Sequence, residues 1–220
     1  MLSSKRENLR GEILNMVHLI LLRHGESQWN VENRFTGWVD VDITLKGEEE
    51  ARKAGLALKE YQIDVLFTSA LMRAIRTADI ALQAAGKGMI PTERSEKLNE
   101  RHYGDLQGLN KDEVGKQFGT DQLKIWRRSY DTPPPNGESL KMTQERVLPY
   151  FHDHIVPVLK QGKNVLITAH GNSLRALIAE LDNLTKEDIL ELNIATGTPI
   201  VYTIDEQTMS IINKQQLLNS

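Results

Sequence analysis

The chain is expected to fold as an α/β domain, a mostly parallel central sheet flanked by helices on both faces, with its active site at the carboxyl ends of the strands. Three observations predict this. Short aliphatic runs at 17–22, 63–67 and 165–169 are continuous rather than alternating, as in strands covered on both faces. Helix-spaced apolar residues follow each of them or the loop beyond it. Two of the runs empty into a histidine and a glycine, Arg23-His24-Gly25 and His170-Gly171-Asn172, so histidines stand at strand ends, where open α/β sheets bind ligands.

The elements follow in order. Residues 1–15 are polar, carry Lys5, Arg6 and Arg10, and are read as a disordered extension; 16–220 are read as a single domain. The apolar run after the extension is too short to span a bilayer and lacks a small-residue cleavage site, so strand one explains it better than a signal peptide. Thr44 is placed to cap a helix whose start carries Glu48, Glu49 and Glu50 and whose buried stripe is Ala51, Ala54, Gly55 and Leu58. After the strand at 63–67, Ser69 opens a helix with Leu71, Ile75, Ala78, Leu82 and Ala85 on one face, and Arg73 lies in its first turn. Residues 89–92 are expected to form a short edge strand, since they include Pro91.

Residues 97–131 are polar, charged and aperiodic, as expected of a functional excursion carried on a scaffold. Beyond the stiff turn Pro133-Pro134-Pro135-Asn136-Gly137, Leu140, Thr143, Val147, Phe151, Ile155 and Val158 keep helical spacing, with Pro149 and Pro157 expected to kink or interrupt the helix. Leu174, Leu177, Ile178 and Leu181 mark the helix behind the strand at 165–169, and 200–204 read as a late strand.

Composition narrows the chemistry. A net charge of -3 excludes a general nucleic-acid or membrane surface, so an anionic ligand must be held by locally gathered arginines. With no cysteine there is no disulfide framework, thiolate metal site or cysteine nucleophile, which fits a cytoplasmic setting. A phosphoryl group needs a nucleophile and fixed positive charge on its equatorial oxygens. Histidine is a competent nucleophile through a neutral ring nitrogen, and arginine supplies forked donors that match phosphate. His24, His170, Arg23 and Arg73 are enough for this without a metal.

The segments RHGES, from Arg23, and TAHGNSLRA, from Thr168, resemble the histidine phosphatase superfamily. RFTGW, LNERHYGDLQGLNK from Leu98 and IWRRSYD from Ile125 are similar to its cofactor-dependent phosphoglycerate mutases, in a short form. The resemblance implies interconversion of 2- and 3-phosphoglycerate in glycolysis and gluconeogenesis, primed by 2,3-bisphosphoglycerate, with no metal. It implies that His24 is phosphorylated, that Arg23, Arg73 and His170 surround the phosphoryl, and that Gly171 and Asn172 add backbone donors. Glu100 becomes the general acid and base. Arg101, His102, Tyr103, Lys111, Arg127 and Arg128 hold the substrate carboxylate and second phosphate, and Ser27, Asn30, Thr36 and Gly37 line the pocket.

Taken singly, a strand-end histidine is a satisfied structural residue more often than a nucleophile, and Arg127-Arg128 would be solvated helix charges; the paired segments reverse both readings. His152 and His154, two apart on a helix, face different ways and are read as surface residues. Trp29, Trp38 and Trp126 are read as packing groups. The chain departs from the long forms in lacking their insertion after Pro135 and their lysine-bearing tail, which leads to the expectation of a higher phosphatase side activity. Met89 and Glu96 stand where large aromatic subunit anchors are usual, so the expected partners are small phosphoglycerates, with a monomer or homodimer and neither nucleic acid nor membrane. Two alternatives compete with the mutase. One is a hydrolase of the same superfamily. The other, a silent binding module, would require loss of a histidine, the catalytic acid or the arginines, and none is missing.

Overall fold

A computed structural model describes residues 16–218; the expected disordered extension, 1–15, lies outside them. Along the chain run β1 (Met16–Arg23), α1 (Gln28–Val31), α2 (Leu45–Ala57), β2 (Val65–Thr68), α3 (Met72–Ala84), β3 (Thr92–Arg94), α4 (Lys111–Phe118), α5 (Thr120–Arg128), α6 (Leu140–Tyr150), α7 (Val156–Leu159), β4 (Val165–Ala169), α8 (Gly171–Leu181), α9 (Lys186–Glu191), β5 (Pro199–Asp205) and β6 (Ile211–Gln216). One six-stranded sheet has the order β3-β2-β4-β1-β5-β6. The first four strands in that order are mutually parallel, and β5 and β6 run antiparallel at the other edge. The sheet is therefore mixed but mostly parallel, as expected.

The aliphatic runs are continuous because the sheet is covered twice. Val17, Leu19 and Leu21 of β1 join Val147, Phe151, Ile155, Leu174 and Leu177 on one face, while Ile20 and Leu22 join Ala54, Leu58, Ala78 and Ala81 on the other. Residues of both sets are almost wholly buried. Each fully buried aliphatic side chain contributes roughly 1.5–3 kcal/mol, so these two layers dominate the stability.

Parallel pairing of β1 with β4 places Arg23 beside Ala169, and pairing of β2 with β4 places Thr68 beside Thr168. Residues 24, 69 and 170 thereby emerge side by side at one edge. Thr44 caps α2, its side chain accepting from the Gly47 N–H, as expected.

Several boundaries differ from expectation. The edge strand is Thr92–Arg94, not 89–92, because only these residues pair with β2, and Met89 is fully exposed. Helix α3 begins at Met72 with Leu71 as its cap, and its buried face carries Arg73, Ala74 and Thr77, leaving Ile75 half-buried. The α-helix after Ser139 is interrupted just after Pro149, as expected, but by a π-helical turn at Phe151–Ile155 that joins α6 to α7 without ending the rod, and Pro157 falls in the first turn of α7. Helix α9 and strand β6 have no counterpart among the expected elements. The first is a six-residue helix fixed by a Thr185–Asp188 capping box, and the second is an exposed edge without apolar alternation.

Candidate active site

The loop leaving β1 is held against helix α2 at van der Waals distance. A Cβ added to Gly25 would lie 2.2 Å from the Gly47 carbonyl oxygen, and one added to Gly47 would lie 2.3 Å from the Glu26 carbonyl oxygen. Only glycine at both positions lets the backbones meet. The Gly25 N–H also donates to Thr77 Oγ1 at 3.0 Å, so the turn is fixed from two helices.

His24 is 3% exposed, and its Nδ1 lies 2.7 Å from the Gly25 carbonyl oxygen. A carbonyl only accepts, so Nδ1 carries the proton and Nε2 keeps its lone pair. Burial, then the charges of Arg73 and Arg23, hold the His24 pKa well below the usual histidine range. The ring is thus neutral, with a free nucleophilic nitrogen, at physiological pH. His170 packs beside it with ring centroids 5.0 Å apart, and its Nε2 lies 2.7 Å from Ser69 Oγ. Its pKa is likewise well below the usual range, through burial and then Arg73, His24 and Arg23.

Arg73 is buried and donates to the carbonyls of Val39 and Gly37 at 3.0 and 2.8 Å. Burial pushes its pKa down to about 10, which still leaves it charged at neutral pH. Glu100 accepts at Oε1 from the backbone N–H groups of Arg101 (2.8 Å) and Asn172 (3.0 Å). Its other oxygen lies toward Gly171 and the Arg23 guanidinium.

These groups border a cavity of about 210 Å³ lined by Arg23, His24, Asn30, Thr36, Gly37, Arg73, Glu100, Tyr103, Lys111, Arg127, Arg128, Gly171 and Asn172, and also by Arg34, Phe35 and Arg175. Seven of the lining side chains are cationic (Arg23, Arg34, Arg73, Lys111, Arg127, Arg128 and Arg175), and one, Glu100, is acidic. Such a lining suits a small ligand with several negative groups.

Four expected residues stand behind the lining. His170 backs His24. Ser27 closes the turn of α1 by donating from its backbone N–H and Oγ to Asn30 Oδ1, at 3.0 and 2.9 Å. Arg101 is buried, donates to the Trp126 and Arg127 carbonyls and lies 4.6 Å from the Tyr103 ring centroid, so it braces the end of α5. His102 packs edge-on against Trp38 and receives the Gly104 N–H at Nδ1. Trp38 does more than pack: its Nε1–H donates to the Glu100 carbonyl at 2.6 Å.

Sequence reasoning missed Arg34, Arg175 and Arg146. Arg34 lies within RFTGW and Arg175 one helical turn beyond Gly171, so each carried a spacing signal. Arg146 carried none. It pairs with Glu138 and donates to the carbonyls of Glu96, Lys97, Asn99 and Glu100, shaping the loop that presents Glu100. The last turn of α9 and the segment after it add a strip of acceptors: the carbonyls of Leu190, Leu192 and Ile194 receive Arg128, Arg175 and Arg23 respectively, at 2.9, 2.8 and 2.6 Å.

No described helix is long and apolar enough to cross a membrane, and no group of three or more His, Cys, Asp or Glu among the described residues is placed to hold a metal.

The chain is similar to known proteins over most of its length. It is 54% identical to the 2,3-bisphosphoglycerate-dependent phosphoglycerate mutase of Parvibaculum lavamentivorans over 202 residues, 91% of this chain and 96% of that one. It is 56% identical to the phosphoglycerate mutase of Schizosaccharomyces pombe over 190 residues, 86% of this chain and 90% of that one. Among solved structures, Bacillus stearothermophilus YhfR superposes with a TM-score of 0.78 at 30% identity, covering 89% of this chain and 94% of that one. The model of the histidine phosphatase superfamily (branch 1) matches residues 19–215, and the chain belongs to that superfamily.

Proposed function

We propose that the chain is a 2,3-bisphosphoglycerate-dependent phosphoglycerate mutase, interconverting 2- and 3-phosphoglycerate in glycolysis and gluconeogenesis. The observation that carries the reading is the seven-cation cavity, in which Lys111, Arg127, Arg128 and Arg34 extend the positive lining beyond the His24–Arg23–Arg73 cluster. A simple phosphatase needs one anion site; a mutase must also hold a second phosphate and a carboxylate. The close relatives bearing that name support the same conclusion. Glycolysis makes the cytoplasm the proposed compartment.

The residues fit the bisphosphate. Arg23 Nε, Arg73 Nε and His170 Nδ1 are buried polar atoms with no protein partner among the described residues, at the cluster where a phosphoryl group would sit. When bound, 2,3-bisphosphoglycerate supplies the phosphoryl group that primes His24. His24 Nε2 would accept it as the P–O bond of the primer breaks and Glu100 protonates the released oxygen, while His24 Nδ1–H stays hydrogen-bonded to the Gly25 carbonyl. Arg23 and Arg73 neutralise the equatorial oxygens, and His170 offers them a hydrogen bond from its ring. Glu100 takes the proton of the substrate hydroxyl as that oxygen attacks phosphorus and the bond to His24 breaks. It returns the proton to the other oxygen when His24 takes back the other phosphoryl. The outer cations keep the doubly phosphorylated species bound between these steps.

The test is conversion of 3-phosphoglycerate to 2-phosphoglycerate with and without catalytic 2,3-bisphosphoglycerate, in wild type and His24→Ala. Primer-dependent conversion that falls by about 10^4-fold or more on substitution is expected for a covalent nucleophile. Phosphate release without isomerisation would move the chain to the phosphatases, and activity persisting in His24→Ala would place the nucleophile elsewhere.

A further inference from the structure

Arg175 lines the cavity, and its guanidinium is held at two points: Nε donates to the Leu192 carbonyl at 2.8 Å and Nη1 to Asn172 Oδ1 at 3.1 Å. Arginine has no acceptor, so the Asn172 amide must turn its oxygen to Arg175 and its NH2 the other way. There Asn172 Nδ2 lies 3.3 Å from Tyr103 Oη. Tyr103 Oη therefore accepts from Asn172, and its own proton is left to point into the cavity that Tyr103 lines.

We propose that Arg175 is a positioning residue that sets the orientation of the Asn172 amide, and so makes Tyr103 a hydrogen-bond donor to an anionic oxygen of bound phosphoglycerate. The inference rests on the mutase reading for the identity of the ligand. Without Arg175 the amide is free to turn over, and Asn172 Oδ1 then takes the Tyr103 proton. The donor is lost from the cavity although Tyr103 and Asn172 are still present. The backbone of Asn172, which donates to Glu100, is fixed separately at the start of α8, so the effect falls on binding rather than on proton transfer.

A double-mutant cycle tests this. Wild type, Arg175→Met, Tyr103→Phe and the double variant are compared for kcat and KM with 3-phosphoglycerate at saturating 2,3-bisphosphoglycerate. Calorimetric Kd values for 2,3-bisphosphoglycerate are measured on the same proteins. Loss of one hydrogen bond to a charged oxygen raises KM by about tenfold in Tyr103→Phe. Arg175→Met is expected to raise KM at least as much with kcat little changed, Tyr103→Phe to have no further effect in that background, and Arg175→Lys, which keeps a donor for Asn172 Oδ1, to recover most of the loss. Fully additive effects would overturn the proposal, since Arg175 would then act on the ligand by its own charge, and so would a collapse of kcat at unchanged KM. If Arg175→Met does not fold, Asn172→Asp replaces it. A carboxylate offers only acceptors, so Tyr103→Phe should again be silent in that background, and a tenfold effect there would overturn the idea. A wild type that turns over no 3-phosphoglycerate fails the mutase reading instead, and the cycle is then decided on the bisphosphate Kd alone.

Discussion

The strand-end cluster and the excursion between β3 and α6 face the same cavity but are built in opposite ways. His24, Arg73 and His170 are at most 3% exposed and stand at the ends of two strands and in the first turn of the helix behind a third. Their positions are set by the β-ladder and by both layers of the core. Arg127 and Arg128 are exposed at the end of the nine-residue α5, which packs chiefly on the small cluster of Phe35, Leu106, Val114 and Trp126. The difference separates two tasks. Bond-making atoms need fixed geometry in a dry setting, where electrostatic interactions are strong. A surface that must keep a reorienting bisphosphate bound needs charge on a part of the molecule that is less tightly packed.

Glu100 belongs to the rigid side although the excursion carries it, because two backbone N–H groups fix its Oε1 and Arg146 fixes its loop. Glu100→Gln keeps an acceptor at that position and removes the proton shuttle. It should lower kcat by about 10²–10⁴-fold with little change in KM, measured by steady-state isomerisation. A rise in KM alone would transfer Glu100 to the binding side of the comparison.

Arg127→Ala and Arg128→Ala should do the reverse. Each is expected to raise the KM for 3-phosphoglycerate by about tenfold, the worth of one charge-assisted contact, while phosphorylation of His24 by saturating 2,3-bisphosphoglycerate proceeds. Equal losses in phosphohistidine formation at saturation would show that the excursion takes part in the chemistry.

The smallest effect is on stability against pH. His24 and His170 have pKa values well below the usual range when folded, and near 6.5 when unfolded. Below pH 6.5 the unfolded chain binds more protons than the folded one, so stability is lost as pH falls toward the folded values. The slope is at most about 1.4 kcal/mol per pH unit for each histidine. Denaturant midpoints at pH 7.5 and 5.5 should therefore fall less steeply for His24→Gln than for wild type. The exposed Arg127→Ala chain should keep the wild-type slope, and a matching reduction there would remove the distinction between the two regions.

The sheet was legible because burial on both faces forces unbroken aliphatic runs, and β4 was read to the residue at Val165–Ala169. Elements without that constraint were not. Strand β6 is an exposed edge, α9 is six residues long and buries only Ile189 fully, too little for an apolar period to show, and β3 is placed by its pairing with β2 and not by its own hydrophobicity. Most cavity-lining residues were found, but Arg34 and Arg175 were missed although they lie within RFTGW and TAHGNSLRA. Arg146 was missed for a different reason, since a residue that acts by donating to backbone carbonyls of another loop leaves no mark in its own neighbourhood.

The sequence by itself determined which side chains are available: two strand-end histidines, an acidic residue in a charged excursion and enough arginine for a polyanion, in a chain whose net charge could not hold one otherwise. Only the tertiary structure decided their roles relative to one another. Parallel pairing of β1 with β4 brings together histidines 146 positions apart, the Gly25–Gly47 approach fixes the first of them, and Arg175 turns the Asn172 amide toward Tyr103. Residue type is local chemistry, whereas distance, protonation and the direction of a hydrogen bond depend on what the fold places opposite each group.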